Sequence, residues 1–363
     1  MDLDRLIEGA VKARATDLHL MEGFPPYVRI DDVILPVEAE PVTHVELTEL
    51  LKRIMPERLR GGLETRRGVD FAYQHKELVR TRTVAFYERR RLALVFRLIP
   101  MTPPTLAELE MPPVLERFEE FHRGLVVLTG PTGCGKSTTL AALIHGINAR
   151  RRVSIITIED PIEYLHRNQR AVVVQREVGE DVASFQAGLI QALRQDPDVI
   201  LVGEMRELET MRTAIQAAET GHLVLSTLHT ASAIQTIERV LGTFPENEHG
   251  VVLEQLAANL RAVVTQELVR RKEGKGRIAA AEILVADEEV AKLIRERRFE
   301  DIYTLMKAGR GGMQTLDLAL AKLIQAGKIT EEEARRFARD VHTLHRYVTG
   351  KMASSDVGAV LQD

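Results

Sequence analysis

The sequence predicts an α/β protein in which a small N-terminal domain precedes a larger domain built on a largely parallel sheet. Two observations lead to this fold class. From residue 114 to about 285, short β-branched runs alternate with helical stretches, and parallel strands need such helical crossovers. The span 99–113 carries five prolines, and proline interrupts both helices and sheets. We therefore predict a proline-rich linker at 99–113 between domains at 1–98 and 114–285.

The N-terminal segment has the pattern of a small α/β domain. Apolar residues recur at helical spacing over 3–11 and 45–55. They alternate with polar residues, as in half-buried strands, over 18–20 and 27–35. The segment therefore mixes helices with strands before the linker begins.

Residues 79–98 predict a strand pair with many arginines. These are Arg80, Arg82, Arg89, Arg90, Arg91 and Arg97. One interpretation is a solvated basic face, which is the usual reason for such a cluster. The other is that some of these side chains bind phosphate held by another domain or subunit, because a planar guanidinium makes bidentate contacts. The residues alone leave both interpretations open.

The larger domain contains strand candidates that are rich in β-branched residues. They lie at 125–129, 153–158, 171–175, 199–203 and 223–228. In a parallel sheet, ligands collect at the carboxyl ends of the strands. Residues 286–350 then predict polar, charged helices, and 351–363 lack helical spacing and predict a mobile tail.

Composition and charge argue against several classes of protein. The chain has 53 acidic and 49 basic residues, so it has no overall positive charge with which to bind nucleic acid or an anionic membrane. No apolar run approaches the roughly 18 residues of a membrane span, and the acidic N-terminus is unlike a signal peptide. A single cysteine excludes an internal disulfide and a cysteine-cluster zinc site. We expect a cytoplasmic protein that neither inserts into the membrane nor binds nucleic acid.

The segment 125–141 carries the pattern G-x-x-x-x-G-K-[ST] between a predicted strand and a predicted helix. Glycines allow successive backbone N–H groups to face one anion, and the helix N-terminus adds further donors. Lys136 supplies a charge for the β- and γ-phosphates, and the Ser137 hydroxyl suits Mg²⁺. The alternative, a glycine-rich turn that binds nothing, does not explain all the fixed positions together. The residues predicted to bind ATP and Mg²⁺ are Gly130, Pro131, Thr132, Gly133, Cys134, Gly135, Lys136, Ser137 and Thr138.

Two further predicted strands end in carboxylates. Glu159, Asp160 and Glu163 follow one strand, and Glu204 follows another. Phosphoryl transfer to water needs a group that holds the attacking water in line. We predict that Glu204 does this, with Glu163 as the second candidate, and that Glu159 and Asp160 make outer-sphere metal contacts. The alternative for each is a solvated residue after a strand.

The predicted strand 223–228 has a histidine at each end, His222 and His229. The two cannot share a metal ion, because seven residues of extended chain separate them by about 23 Å. Either both are structural histidines that bond to the backbone, or one of them contacts the γ-phosphate and reports its hydrolysis.

Taken together, these segments resemble the ATPase superfamily of type II secretion and type IV pili, and most closely its pilus retraction branch, the PilT family. The resemblance covers most of residues 14–335. It rests on the phosphate loop as the Walker A box, 155–163 as the Asp box, 196–206 as the Walker B box and 220–232 as the His box. It implies a PAS-like N-terminal domain, a RecA-like P-loop ATPase domain and a homo-hexameric ring.

The resemblance also implies a role for part of the arginine cluster. Arg82 and Arg97 fall on family arginines that complete a nucleotide site of the same or a neighbouring subunit, so we predict that they act as phosphate sensors. Arg90 falls on a third such position. The strand pair departs from the family pattern at two positions, with Val84 in place of asparagine and Arg91 in place of glycine.

In this family, ATP hydrolysis drives domain motion against an inner-membrane platform protein, so that pilins leave the filament. The resemblance therefore implies a cytoplasmic ATPase that powers type IV pilus retraction and twitching motility. An assembly or secretion ATPase remains an alternative, although those chains are typically longer and usually carry a four-cysteine zinc module. An accessory retraction paralogue is another, because 289–296 matches only half of a helix motif of the retraction branch. A RecA-like nucleic-acid motor and a nucleotide switch with little turnover are the alternatives from other classes.

Overall fold

The computed structural model describes residues 2–30 and 33–350, and the tail predicted at 351–363 lies outside them. The chain forms two compact units, an N-terminal unit (Met1–Thr102) and a C-terminal unit (Pro103–Asp363). The boundary between the units falls inside the segment predicted as a linker. Residues 99 and 100 belong to the last strand of the N-terminal unit, whereas Leu106 and Met111 are buried in the core of the C-terminal unit. A hinge at the boundary stays a prediction.

The N-terminal unit is an antiparallel sheet of six strands with three helices. The strands are β1 (Asp17–Met21), β2 (Tyr27–Ile30), β3 (Val33–Pro36), β4 (Gly68–His75), β5 (Val79–Glu88) and β6 (Arg91–Pro100), in the order β3-β2-β1-β6-β5-β4. The helices are α1 (Leu3–Lys12), α2 (His44–Ile54) and α3 (Glu57–Arg66). Strand β4 was not predicted from the sequence.

One face of this sheet is apolar and carries the helices. Leu18 and Phe96 lie opposite each other in β1 and β6, and both pack against helical residues such as Ile7 and Leu47. Because strand side chains alternate, the next residue along each strand points to the other face. That face carries the arginines discussed below.

The C-terminal unit is built on a sheet of seven strands, which confirms the predicted α/β fold with a largely parallel sheet. The strands are β7 (Gly124–Thr129), β8 (Ser154–Glu159), β9 (Val172–Glu177), β10 (Val199–Val202), β11 (Leu223–Thr227), β12 (Leu260–Arg270) and β13 (Arg277–Val285), in the order β13-β12-β7-β11-β10-β8-β9. All neighbours are parallel except β12 and β13, which form an antiparallel pair that the sequence analysis missed.

Helices cover both faces of this sheet. They are α4 (Lys136–Arg150), α5 (Phe185–Ala192), α6 (Leu208–Glu219), α7 (Ala233–Thr243) and α8 (His249–Asn259), with a 3₁₀ helix at Pro113–Glu120. Helix α4 and the 3₁₀ helix pack on one face, and α5 to α8 pack on the other. Since every parallel strand points the same way, the loops that follow β7, β8, β10 and β11 meet at one edge of the sheet.

The segment predicted to be helical after residue 285 contains five α-helices among its described residues. They are α9 (Glu288–Arg295), α10 (Phe299–Lys307), α11 (Leu316–Gln325), α12 (Glu331–Arg335) and α13 (Val341–Thr349). Helices α11 to α13 form a small apolar core with β12 and β13. In the part of the chain that the structure describes, no helix has the length and apolar character needed to cross a membrane.

Candidate active site

The phosphate loop connects the end of β7 to the start of α4 and depends on glycine at defined positions. Gly130 has a φ of +131°, and a Cβ there would lie 2.4 Å from the carbonyl oxygen of Gln266. Gly135 has a φ of +91° and precedes the first residue of α4. L-residues rarely adopt such φ values, so glycine is required for the loop to curl tightly against β12.

Lys136 is almost completely buried at the start of α4, with 8% of its surface exposed. Its Nζ donates hydrogen bonds to the carbonyl oxygens of Gly130 (2.8 Å) and Pro131 (2.9 Å). The ammonium group is therefore held over the loop whose N–H groups would face a phosphate. Ser137, in the same helical turn, is half-buried.

A glutamine on β12 makes a hydrogen bond to the phosphate loop, and the sequence did not predict this contact. Gln266 is buried, and its Nε2 donates to the carbonyl oxygen of Cys134 (3.1 Å). Cys134 itself is buried, and burial raises the pKa of its thiol. The thiol is therefore neutral, and it lies beside Gly130 and accepts a hydrogen bond from Lys136 Nζ (3.9 Å). No sequence signal identifies Gln266, because β12 is far from the loop along the chain.

Glu204 and His229, which were predicted separately, lie in contact. The Nε2 atom of His229 is 3.1 Å from Glu204 Oε1, and Arg206 Nε donates to the same carboxylate. The loop after β10 is tied to the end of β11, since Met205 donates its N–H to the carbonyl of Thr227 (3.1 Å). Strand β11 lies between β7 and β10. The carboxylate and the imidazole are thus held at the edge of the sheet from which the phosphate loop emerges.

The structure does not bring His222 to this edge. His222 precedes β11, and its neighbour Leu223 pairs with Gly124 at the start of β7, whereas the phosphate loop follows the end of β7. Its Nδ1 lies 2.9 Å from the carbonyl oxygen of Ala217, so it is a histidine that bonds to the backbone. Of the two histidines, only His229 is placed beside a candidate catalytic group of its own subunit.

Glu159 ends β8, and its carboxylate is held by protein groups. It accepts hydrogen bonds from Thr157 Oγ1 (2.6 Å) and Gln175 Nε2 (3.1 Å), and burial raises the pKa of its carboxyl. Asp160 and Glu163 follow it in the loop, and the Glu163 side chain is exposed. The outer-sphere metal roles of Glu159 and Asp160 and the second-choice role of Glu163 stay predictions.

A tyrosine in the same loop reaches the phosphate-loop helix. The Tyr164 hydroxyl lies 3.1 Å from Thr138 Oγ1, one residue after Ser137. The pKa of this phenol is raised, mainly because the group is buried. Sequence spacing could not connect the two, because Tyr164 follows β8 and Thr138 belongs to α4.

Arg82 and Arg97 lie directly opposite each other on β5 and β6, on the sheet face that faces away from the helices. Arg97 Nε is 3.2 Å from Asp17 Oδ1, and Arg82 Nε is 3.7 Å from Asp70 Oδ1. Arg90 sits in the turn between these strands, with a φ of +69°. All three belong to the N-terminal unit, so their action on a nucleotide stays a prediction.

Comparison with known proteins identifies the family. A family model described as type II/IV secretion system protein matches residues 99–336. The type IV pilus retraction ATPase PilT of Pseudomonas aeruginosa is 43% identical over 93% of this chain and 98% of its own. The type IV pilus ATPase PilU of the same organism is 41% identical over 95% of this chain and 90% of its own.

Solved structures agree with the sequence matches. A crystal structure of the pilus retraction motor PilT with bound ADP superposes with a TM-score of 0.88 at 41% identity, covering 95% of this chain and 99% of that one. The ATPase DotB of Legionella pneumophila superposes with a TM-score of 0.80 at 28% identity, over 92% and 94% of the two chains. The chain therefore belongs to the type II/IV secretion system protein family, and it is a nucleotide-binding ATPase of that family. The resemblance to PilT that the sequence boxes indicated is confirmed.

Proposed function

We propose that this chain is a motor that hydrolyses ATP to retract type IV pili, and that it works as a homo-hexameric ring in the cytoplasm. Its load is an inner-membrane platform protein, through which it acts on pilins indirectly, at the inner face of the cytoplasmic membrane. The observation that supports this proposal most is the match to PilT, which extends over nearly the full length of both chains.

In this proposal, the phosphate loop binds ATP. A Cβ at Gly130 would collide with the Gln266 carbonyl of β12, so glycine allows the tightly curled backbone that can cradle the phosphates of ATP. Lys136 contributes its charge to the β- and γ-phosphates, exchanging its carbonyl partners for phosphate oxygens. The donor set also fits Mg²⁺, because Ser137 offers a hydroxyl oxygen and Glu159 and Asp160 offer carboxylates for outer contacts. Bound Mg²⁺ would neutralise charge that develops on the phosphates.

In this proposal, Glu204 provides the group that aligns the attacking water. Its carboxylate is held in one orientation by Arg206 and His229, and such preorganisation suits a group that must align a water molecule. Because His229 contacts the same carboxylate, a change at the γ-phosphate can alter the His229 contact and be passed on to the loop that follows β11. Hydrolysis is thereby linked to motion.

A deletion in the source organism tests this proposal directly. We expect cells that lack the chain to carry abundant surface pili and to lose twitching motility, and the wild-type gene should restore motility. Complementation with Glu204→Gln should fail, whereas Glu209→Gln, an exposed glutamate five residues further on, should succeed. A bald surface would instead identify an assembly motor.

An accessory retraction paralogue is the second candidate. PilU matches this chain at 41% identity, close to the value for PilT. Unchanged pili and motility after deletion, with a defect that appears only when a second retraction ATPase is also removed, would favour this candidate.

Head-to-tail packing in the ring would allow Arg82 to act on a neighbouring subunit. Lys136→Ala subunits and Arg82→Ala subunits, each impaired alone, should then give more ATPase activity when mixed than the sum of the two separate preparations, because some interfaces combine an intact loop with an intact arginine. No recovery at any mixing ratio would contradict action between subunits.

A further inference from the structure

The loop that carries His229 is tied down just after the histidine. Ala231 accepts a hydrogen bond at its carbonyl from the Arg339 guanidinium. Ala233 donates its N–H to Glu282 Oε1 (2.9 Å), and the Thr230 and Thr236 hydroxyls lie 2.7 Å apart. The position of the loop therefore depends on groups outside the loop itself.

Arg339 belongs to the connection between α12 and α13, and a buried carboxylate fixes its backbone. Asp317 is fully buried in α11, and it accepts the N–H groups of Arg339 (2.8 Å) and Asp340 (3.2 Å). The Arg339 side chain then reaches Glu282, which is 1% exposed on β13, at 3.2 Å. One guanidinium thus joins the C-terminal helices, the sheet and the His229 loop.

Charge explains why an arginine is used here. Burial raises the pKa of both the Glu282 and the Asp317 carboxyl groups, and the nearby Arg339 charge opposes that rise. The Nη2 atom of Arg339 contacts both the Glu282 carboxylate and the Ala231 carbonyl, and the planar guanidinium fixes the direction of its donors, which a freely rotating ammonium group does not. Removing the arginine would leave a buried carboxylate without this cation and the loop without its external donor.

We propose that Arg339 is a positioning residue for ATP hydrolysis. It fixes the loop that carries His229, so that the C-terminal helices α12 and α13 set the geometry of the contact between His229 and Glu204. This inference rests on the proposed roles of His229 and Glu204. The C-terminal helices thereby become a place from which turnover can be controlled without a change in nucleotide binding.

A double-mutant cycle on the full-length protein tests the proposal. The ATPase kcat is measured for wild type, Arg339→Gln, His229→Asn and the double variant, and the affinity for a fluorescent ATP analogue is measured in parallel. We expect Arg339→Gln to lower kcat about 10-fold with the dissociation constant within about threefold, because the phosphate loop is not altered. In the His229→Asn background, the same change should cost less than about twofold, because the histidine through which it acts is gone.

Two further variants separate positioning from a general structural effect. Arg336→Gln is the matched control, since Arg336 lies on the same segment, is exposed and pairs only with Glu332 and Glu333 among the ion pairs of the described residues. It should keep the wild-type kcat. Arg339→Lys keeps the charge beside Glu282, and its kcat should be about threefold higher than that of Arg339→Gln. If Arg339→Gln does not fold, as judged by thermal melting, Arg339→Lys replaces it in the cycle.

Several outcomes would overturn the proposal. It fails if the arginine variant keeps the wild-type kcat, or if kcat falls by the same factor in both histidine backgrounds. It also fails if His229→Asn is fully active. These results concern the isolated enzyme, so they are distinguishable from a failure of the retraction proposal, which is read from pili and motility in cells.

Discussion

Two regions of this protein carry cations that we propose bind phosphate, and the structure holds these cations in opposite ways. In the C-terminal unit, Lys136 is 8% exposed and bonded to two loop carbonyls. In the N-terminal unit, the side chains of Arg82 and Arg97 are 48% and 68% exposed, and each lies near one carboxylate. The lysine is preorganised by the loop that it serves, whereas the arginines are held loosely enough to move.

The energies of the two settings explain the difference. Exposed ion pairs contribute about 0–1 kcal/mol, so Arg82 can leave the exposed Asp70 for a phosphate at little cost. Arg97 pairs with a buried carboxylate, but Arg29 also lies near Asp17 and would remain beside it. Two arginines directly opposite each other on neighbouring strands also repel. The buried carboxylate of Asp17 offsets part of this positive charge, since it lies near Arg97 and also 3.7 Å from Arg29. A face of this kind is better suited to binding an anion than to stabilising its own sheet.

The sharpest test of the preorganised region is Lys136→Ala. We expect kcat/KM for ATP to fall by at least about 10³-fold, because the charge for the β- and γ-phosphates has no substitute within the loop. Lys292→Ala, which alters an exposed lysine of α9, is the control and should leave the kinetics unchanged. Binding of a fluorescent ATP analogue within about threefold of wild type would refute the role assigned to Lys136.

Backbone preorganisation of the same loop can be tested with Gly130→Ala. The new methyl group would lie 2.4 Å from a backbone oxygen at a φ of +131°, so we expect a loss of about 3 kcal/mol in the free energy of unfolding. Gly133→Ala is the matched control. It also has a positive φ, of +81°, but no atom lies within 4 Å of its Cβ position, and the change should cost about 1 kcal/mol. Equal losses in urea denaturation would mean that crowding against β12 does not shape the loop.

The exposed arginines of the N-terminal unit call for a kinetic test. Arg82→Ala and Arg97→Ala should each lower kcat about 10-fold and leave the melting temperature within about 2 °C, since their ion pairs contribute little to stability. Arg89→Ala removes an exposed arginine whose ion pair is with Glu88 in the adjoining strand, and it should be silent. A large loss of stability with normal kcat would make the arginine face a structural feature.

The smallest effect concerns a buried acid near α4. Glu119 is buried beside Arg150, and desolvation raises the pKa of its carboxyl to about 7. An unfolded glutamate titrates near about 4.3, so the folded state binds this proton more tightly, and stability is lost as the pH rises through about 7.

Glu119→Gln cannot ionise and should escape that loss. We expect its melting temperature, relative to wild type, to rise by about 2 °C between pH 5 and pH 8. Glu120→Gln, the exposed neighbour, should show no such change. If the two variants behave alike at both pH values, burial of Glu119 does not control its titration.

Local patterns were enough to predict a large part of this protein. The phosphate loop is contiguous, so its glycines, Lys136 and Ser137 could be recognised from spacing alone. The strands that precede Glu204 and His229 are short β-branched runs with a clear end, and four sequence boxes in order are specific enough to indicate the family.

Only the tertiary structure decided which of these residues meet. It paired Glu204 with His229, separated His222 from both, and placed Gln266 under the phosphate loop and Arg339 on the His229 loop. It also set Arg82 opposite Arg97. The physical reason is that hydrophobic periodicity and turn residues report on a few neighbouring positions, whereas contacts between distant residues depend on the order of strands in a sheet and on the crossovers between them.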